Sequence, residues 1–342
     1  MLEVKGYLRT HYFDINNMAQ TKITWERLLQ VTRRQRPDRW SPDYIAGIFA
    51  DPREAPGLSS AAILRPIKLG GRELHTLSYN ETCAALLALY NPACFEIFDQ
   101  RMLSPEPRVH LLYGHPKAVG LSLPSFKGTL DVAERLGRLS KHPKVRAQDG
   151  PDPADWPWVA FPYFADLTLC LEDAQGPYVV DWPVKDKYEN FRRRGPKHGT
   201  SRPDEDDPAT VARQQLQELY YQDAGIRTQQ IVGFSIDFHV RCNLRALHLE
   251  VSRPRAAIDA DARVDLVHEL NQTVGKDVPA FLSARRLANL FRVKPEVVMS
   301  VLYQGVWNRE IRVDLFRPVL ADAPLRPERE DVLARYASWF AR

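Results

Sequence analysis

Cysteine is scarce and scattered: Cys83, Cys94, Cys170 and Cys242 stand far apart, form no CxxC pair and have no histidines at zinc-ligand spacing. That argues against a zinc ribbon or a disulfide framework and leaves free thiols, as suits a reducing cytoplasm. No apolar run approaches the roughly 18 residues needed to span a bilayer, and the opening MLEVKGYLRTHYF lacks the apolar stretch of an export signal. Glycine never gathers into GxxxxGK(S/T) or a helix-opening GxGxxG, and neither HExxH nor GxSxG occurs. Nucleotide-dependent, zinc-protease and serine-hydrolase chemistries therefore lose their main support. Charge of neither sign dominates, since the net charge is only +4, so any contact with nucleic acid must come from a local patch.

What is present is enough apolar residue, 44%, to bury real cores in a chain of 342 residues, a length that fits about two domains. The first 60 to 75 residues are broken by prolines and charges and read as an arm with short helices, ending in a strand near Ala61 to Lys68. Ser78 and Glu81 have the spacing of a capping box, and the apolar run behind them predicts a helix up to Asn91-Pro92. Residues 104–128 alternate as strands would, and 129–146 read as an amphipathic basic helix. The stretch FPYFADLTLCLEDAQGPYVVDWPVK predicts two strands joined by a turn at 173–177. Residues 192–207 form a polar loop with a basic and an acidic half. A helix closed by Gly225 follows, then a strand at 231–238.

Beyond about residue 240 helices dominate. Ser283 is placed to cap one, Pro295 to open the next, and EIRVDLF alternates like a short strand, an order compatible with a winged helix-turn-helix.

Alternation along the second hairpin strand puts Asp181, Pro183 and Lys185 on one face and Val180, Trp182 and Val184 on the other. Asp166 begins the partner strand, and neighbouring strands lie about 5 Å apart, so its carboxylate and the Lys185 ammonium can meet at one sheet edge. Glu81 can arrive from its helix as a second carboxylate. Such a set suits phosphodiester cleavage: carboxylates hold Mg2+, and a lysine orients or deprotonates the attacking water. The same residues also suit plainer roles, as a capping acid, a turn aspartate and an exposed ion pair worth little.

LSYNETCAALLALYNPACFEIFDQRML resembles the helix and following strand of TnsA-type endonucleases, the subunits of heteromeric cut-and-paste transposases that nick the 5′ ends of the element. FPYFADLTL with PYVVDWPVKDK resembles their catalytic hairpin, LQELYYQDAGIRTQQIV the helix and strand after it, and LANLFRVKPEVVMSVLYQGVWNREIRVDL their winged-helix-type second domain. The resemblance implies an α/β, restriction-endonuclease-like mixed sheet flanked by helices. It divides the chain into an arm (1–60), a nuclease domain (61–240) and a mainly helical domain (241–342) for partners or DNA.

It makes Glu81, Asp166 and Lys185 the catalytic set and implies Mg2+, with Mn2+ as a substitute. Where the family has an acid or Gln, this chain has Pro183, so the main-chain carbonyl of Val184 is the expected ligand and Asp181 a secondary one. Lys187 is the alternative lysine, and Gln217 or Glu218 the residue completing the site. The distance from Glu81 to Asp166 implies an insertion within 104–155. Arg192, Arg193, Arg194 and Lys197 lie where DNA phosphates would run. Implied partners are double-stranded DNA at transposon ends, a DDE-type transposase and a AAA+ ATPase regulator, with no membrane, in a bacterial cytoplasm near the nucleoid. A free-standing restriction-like endonuclease, or a non-catalytic DNA-binding assembly protein on a degenerate nuclease scaffold, are the alternatives.

Overall fold

The computed structural model describes residues 23–36, 38–55, 60–148, 152–193, 205–252 and 258–342. Its centre is a four-stranded sheet in the order β3-β6-β7-β9. Strands β3 (Cys94–Leu103), β6 (Tyr163–Asp173) and β7 (Gly176–Trp182) run antiparallel, and β9 (Arg227–Thr228) lies parallel to β7. The β6–β7 turn is two residues long, Asp173 pairing with Gly176, and so forms within the segment where the turn is predicted.

One face of the sheet packs on α2 (Tyr79–Tyr90), of whose twelve residues eleven are buried. A helix apolar on every side belongs in an interior. The cluster formed by Ile97, Leu169, Val180, Trp182 and α2 crosses residue 240 without interruption. It continues through Leu244 of α5 (Phe238–Val251), Leu266 of α6 (Ala260–Asn271), Leu287 of α7 (Ala280–Phe291) and Leu302 of α8 (Pro295–Trp307). The chain end then returns to the sheet through two short helices, α9 (Val332–Arg335) and α10 (Ala337–Phe340). Trp182 Nε1 donates to the Trp339 carbonyl at 3.0 Å and Tyr178 Oη to that of Phe340 at 2.8 Å.

The opposite face packs on α4 (Pro208–Asp223) through Leu216, Tyr220 and Tyr221, and on the short α3 (Thr129–Arg135) through Val132 and Ala133. A third cluster joins Val31 of α1 (Trp25–Gln35) to Ile48, Met102 and Phe164. It also takes in Val145 and Val159 from a hairpin of β4 (Lys144–Arg146) and β5 (Trp158–Ala160). Two further pairs complete the inventory of the described residues: β1 (Ala62–Leu64) with β2 (Leu74–Thr76), antiparallel, and β8 (Val184–Lys185) with β10 (Ile231–Val232), parallel.

Several expected elements are not formed. Residues 104–128 contain no strand, only an isolated bridge between Arg108 and Phe126. The helix expected over 129–146 stops at Arg135, because Gly137 takes a left-handed φ of 65° and Arg138 N bonds back to the Ala133 carbonyl at 2.7 Å. The strand expected at 231–238 is two residues long before the chain turns into α5. Ser283 caps nothing: α7 already begins at Ala280, and Ser283 is buried within it. EIRVDLF is reduced to a bridge between Val313 and Pro327. The partner segment contains Pro324 and Pro327, which have no N–H to extend a ladder.

Two charge networks fasten the N-terminal segment to this frame. Arg72, almost fully buried, donates to Asp99 Oδ1 at 2.8 Å, to Glu96 Oε1 at 3.3 Å, to Ser41 Oγ at 2.8 Å and to the Ile97 carbonyl. Asp99 also accepts the His75 N–H at 2.7 Å, while Glu96 accepts both the N–H and the hydroxyl of Ser41. Glu54 receives Arg27, Arg34 and the Phe49 N–H. Burial pushes its carboxyl up, but these donors outweigh burial and bring its pKa down to about 2.

Replacing Arg72 with Met strands two buried carboxylates, so the expected loss is about 3–5 kcal/mol by urea denaturation. Because the folded pKa of Glu54 lies below its unfolded value, its contribution is complete above about 4.5 and disappears as pH falls toward 2. Glu54→Gln should therefore lower the melting temperature at pH 7 and flatten its decline across that acid window.

Candidate active site

Three elements converge at one end of the sheet. Ser78 caps α2, its Oγ accepting the Glu81 N–H at 3.2 Å, and the Glu81 carboxylate reaches back over the cap. Its Oε1 accepts the Ser78 hydroxyl at 2.9 Å, and Oε2 the Leu77 N–H at 2.8 Å and the Gln100 side-chain amide at 3.0 Å. The reciprocal cap anticipated from the spacing is thus formed, but it reaches the N–H of the residue before the cap.

Gln100 meets Glu81 because β3 is locally irregular there: its φ is 47°, in a region side chains other than glycine visit rarely. The pairs Asp99 with Leu167 and Arg101 with Ala165 set Gln100 opposite Asp166. Gly47 passes close behind, its N–H donating to the Gln100 carbonyl at 3.0 Å. A Cβ on Gly47 would lie 2.8 Å from that carbonyl and 2.6 Å from the Phe164 ring, so only glycine admits this approach.

The third element is built around Pro183. Having no N–H, it ends the β6–β7 ladder at the Leu167–Trp182 pair, and the next N–H, of Val184, is taken by the Asp166 side chain at 2.8 Å. Freed from β6, the chain pairs in parallel with β10 and delivers Lys185 with its Nζ 3.5 Å from Asp166 Oδ2. These side chains keep 34% and 19% of their surface, so the pair opens to solvent, whereas Glu81 is only 7% exposed. Burial raises the Glu81 carboxyl to about 7, and the negative charge of Asp166 adds to that; the Leu77 and Ser78 donors and the Lys185 cation pull the other way.

The structure therefore brings Glu81, Asp166 and Lys185 into one electrostatic environment and does not bring in the rest. Asp181 is fully buried beneath α4, its Oδ2 accepting Gln217 Nε2 at 2.8 Å and Thr228 Oγ1 at 3.3 Å. Burial, with the nearby Asp166 charge, holds its pKa well above the ordinary carboxylate range, and it lies buried away from the solvent-open Asp166–Lys185 pair. Gln217 is committed to Asp181, and Glu218 and Lys187 are exposed. Arg192 is exposed and paired with Asp206, so the two halves of the 192–207 loop are tied to each other there. Arg194 and Lys197 lie outside the described residues. Nothing in the local sequence marks Gln100 as a site residue. Its contact with Glu81 depends on a backbone irregularity that no local residue pattern encodes.

Among the described residues no group of three or more His, Cys, Asp and Glu side chains gathers as a metal cage. The donor set still suits one class of ion. Two oxygen-donating carboxylates, one raising the pKa of the other, are relieved by a divalent cation, and Mg2+ commonly takes only one or two carboxylates and keeps its waters. Glu81, Asp166 and the Val184 carbonyl are the residues that would hold it.

Gly47→Ala should displace the Gln100 carbonyl and weaken the Gln100–Glu81 bond. The expected signature is a melting temperature lowered by several degrees together with a weaker Mg2+-dependent thermal shift, whereas a surface Gly→Ala control such as Gly71→Ala should leave the Mg2+ shift unchanged. Compared with known proteins, the chain matches no family model and no curated protein.

Proposed function

We propose that this chain is a Mg2+-dependent DNA endonuclease subunit of the TnsA type, nicking the 5′ ends of a transposon beside a DDE-type transposase and under a AAA+ ATPase regulator. The single observation that carries the chemistry is the Asp166–Lys185 contact of 3.5 Å at a solvent-open sheet end, beside the buried acid Glu81. The finer fold reading, a restriction-endonuclease-like sheet followed by a winged-helix-type helical part, belongs to the same proposal, as does a bacterial cytoplasmic setting.

The bound cation would stabilise charge on the scissile phosphate and acidify a coordinated water. The chain's own residues orient the reaction. The Val184 N–H and Lys185 both meet Asp166 Oδ2 and fix the carboxylate from that side. Leu77, Ser78 and Gln100 hold Glu81 so that it need not reorganise when charge arrives. Lys185, beside Asp166 and partly exposed, is the group in position to hold the attacking water or a phosphate oxygen and to carry a proton between them.

A second reading has its own observation. Pro183, and the lack among the described residues of a group of three or more His, Cys, Asp or Glu side chains that could cage a metal, suit a nuclease scaffold that binds DNA without cutting it.

Strand-resolved cleavage of transposon-end DNA, with the cognate transposase and Mg2+, separates the two. Asp166→Ala and Lys185→Ala should each abolish the 5′-strand nick, by at least 100-fold on the scale of lost general acid–base catalysis, and leave 3′-strand cleavage intact. A 5′ nick that persists in both variants removes this site from the chemistry, and no nick by the unaltered protein favours the scaffold.

A further inference from the structure

The β4–β5 hairpin has two unlike faces. Val145 and Val159 turn inward to the cluster with Met102, Phe164 and Leu77, the residue whose N–H holds Glu81. Lys144, Arg146 and Trp158 lie on the other face, where Arg146 and Trp158 are register partners. Trp158 is 56% exposed, an unusual position for so large an apolar surface. It is flanked by cations, with Lys144 Nζ 5.2 Å and Arg146 Cζ 5.3 Å from the ring centroid. Arg146 is further fixed through a 2.6 Å bond to the Pro153 carbonyl.

Three residues before Lys144, Lys141 lines a groove of about 660 Å3 between residues 133–141 and the start of α4. Arg138 and Lys141 line one wall and Arg213 the other, with Tyr163 between. The recorded partners of the two arginines are uncharged: Arg138 donates to the Pro208 carbonyl at 3.3 Å, and Arg213 to the Phe164 carbonyl at 2.9 Å. Asp207, also in the wall, is engaged as the α4 cap, accepting the Thr210 N–H at 2.8 Å. Tyr163, which lines the groove, precedes Asp166 by three residues on β6, about 10 Å along the strand.

We propose that Arg138, Lys141, Lys144, Arg146, Trp158 and Arg213 form a track for a single-stranded stretch of DNA leading to Asp166 and Lys185. Among the described residues these cations form no ion pair with a carboxylate and so can supply phosphate contacts, and an exposed indole with cations against it offers a stacking surface for an unpaired base. An acidic protein segment would use the cations but has no need of the ring. The identity of the strand rests on the nuclease reading above.

The test is fluorescence anisotropy with a labelled single-stranded oligonucleotide, using Ca2+ in place of Mg2+ to prevent cleavage, across a salt series. The triple variant Lys141→Ala, Lys144→Ala, Arg146→Ala should reduce the slope of log affinity against log salt by about 2, three contacts at roughly 0.7 each. Trp158→Ala should weaken binding by about 5- to 100-fold, and Trp158→Phe should restore most of it. Circular dichroism melts confirm that each variant is folded, and Lys141→Arg with Lys144→Arg should bind like the unaltered protein. Unchanged slope and affinity in the triple variant overturn the track. So does Trp158→Ala binding at full strength, which would leave a general anion patch suited to an acidic partner. Cleavage is assayed separately, with Mg2+ and the cognate transposase: intact binding in Ca2+ with no 5′ nick by the unaltered protein in Mg2+ overturns the nuclease reading and leaves the track standing.

Discussion

Pro183 withholds one N–H, and the arrangement of the candidate site follows from that single missing donor. With a donor there, β7 could stay in register with β6 and carry Val184 and Lys185 along the same ladder. Without it, the ladder stops at Trp182, and the Asp166 carboxylate takes the Val184 N–H in place of a backbone acceptor. The strand is then free to pair with β10. The Pro183 carbonyl contributes to that new pairing by accepting the Ile231 N–H at 2.9 Å. The residue that withholds the donor thus also creates the break that brings a carboxylate and a lysine together.

The acids of this fold divide by what surrounds them. Asp99 and Glu96 are buried with Arg72 between them, its donors used, and the group holds residues 41–44 and 72–75 against β3. Asp181 is buried with neutral donors, Gln217 and Thr228, against its Oδ2, and burial raises its pKa. Glu81 lies between these cases: its donors are neutral, Lys185 is near, and Asp166 opposes it. Residue type alone does not separate a structural carboxylate from a reactive one.

Much of this was legible in the chain, and the losses have physical causes. The α2 cap, the β6–β7 hairpin, the opening of α8 at Pro295 and the opposite faces of Asp181 and Trp182 follow from spacing and from local backbone chemistry. The reading failed where alternation had no neighbouring strand to pair with, as at 104–128 and 310–316, and where a glycine overrode a helical pattern at Gly137. At the site, Glu81, Asp166 and Lys185 could be named in advance, but the commitment of Gln217 to Asp181 could not. That bond depends on how α4 lies across the sheet, a contact between residues 36 apart. The Arg72 network was equally hidden, since nothing local distinguishes Arg72 from the exposed arginines around it.

The complete burial of α2 also explains the surroundings of Glu81. The N-terminus of a helix carries partial positive charge from its unpaired N–H groups, which favours a carboxylate in the first turn. In most helices that acid is solvated and contributes little beyond capping. Here apolar residues from Cys83 onward sink the helix into the core and bring its first turn to the sheet end, so the Glu81 carboxylate is desolvated next to Asp166. The hydrophobic run and the raised pKa are therefore consequences of one act of packing. A helix exposed on one side would leave Glu81 hydrated, ionised at ordinary pH and free to turn away from the site.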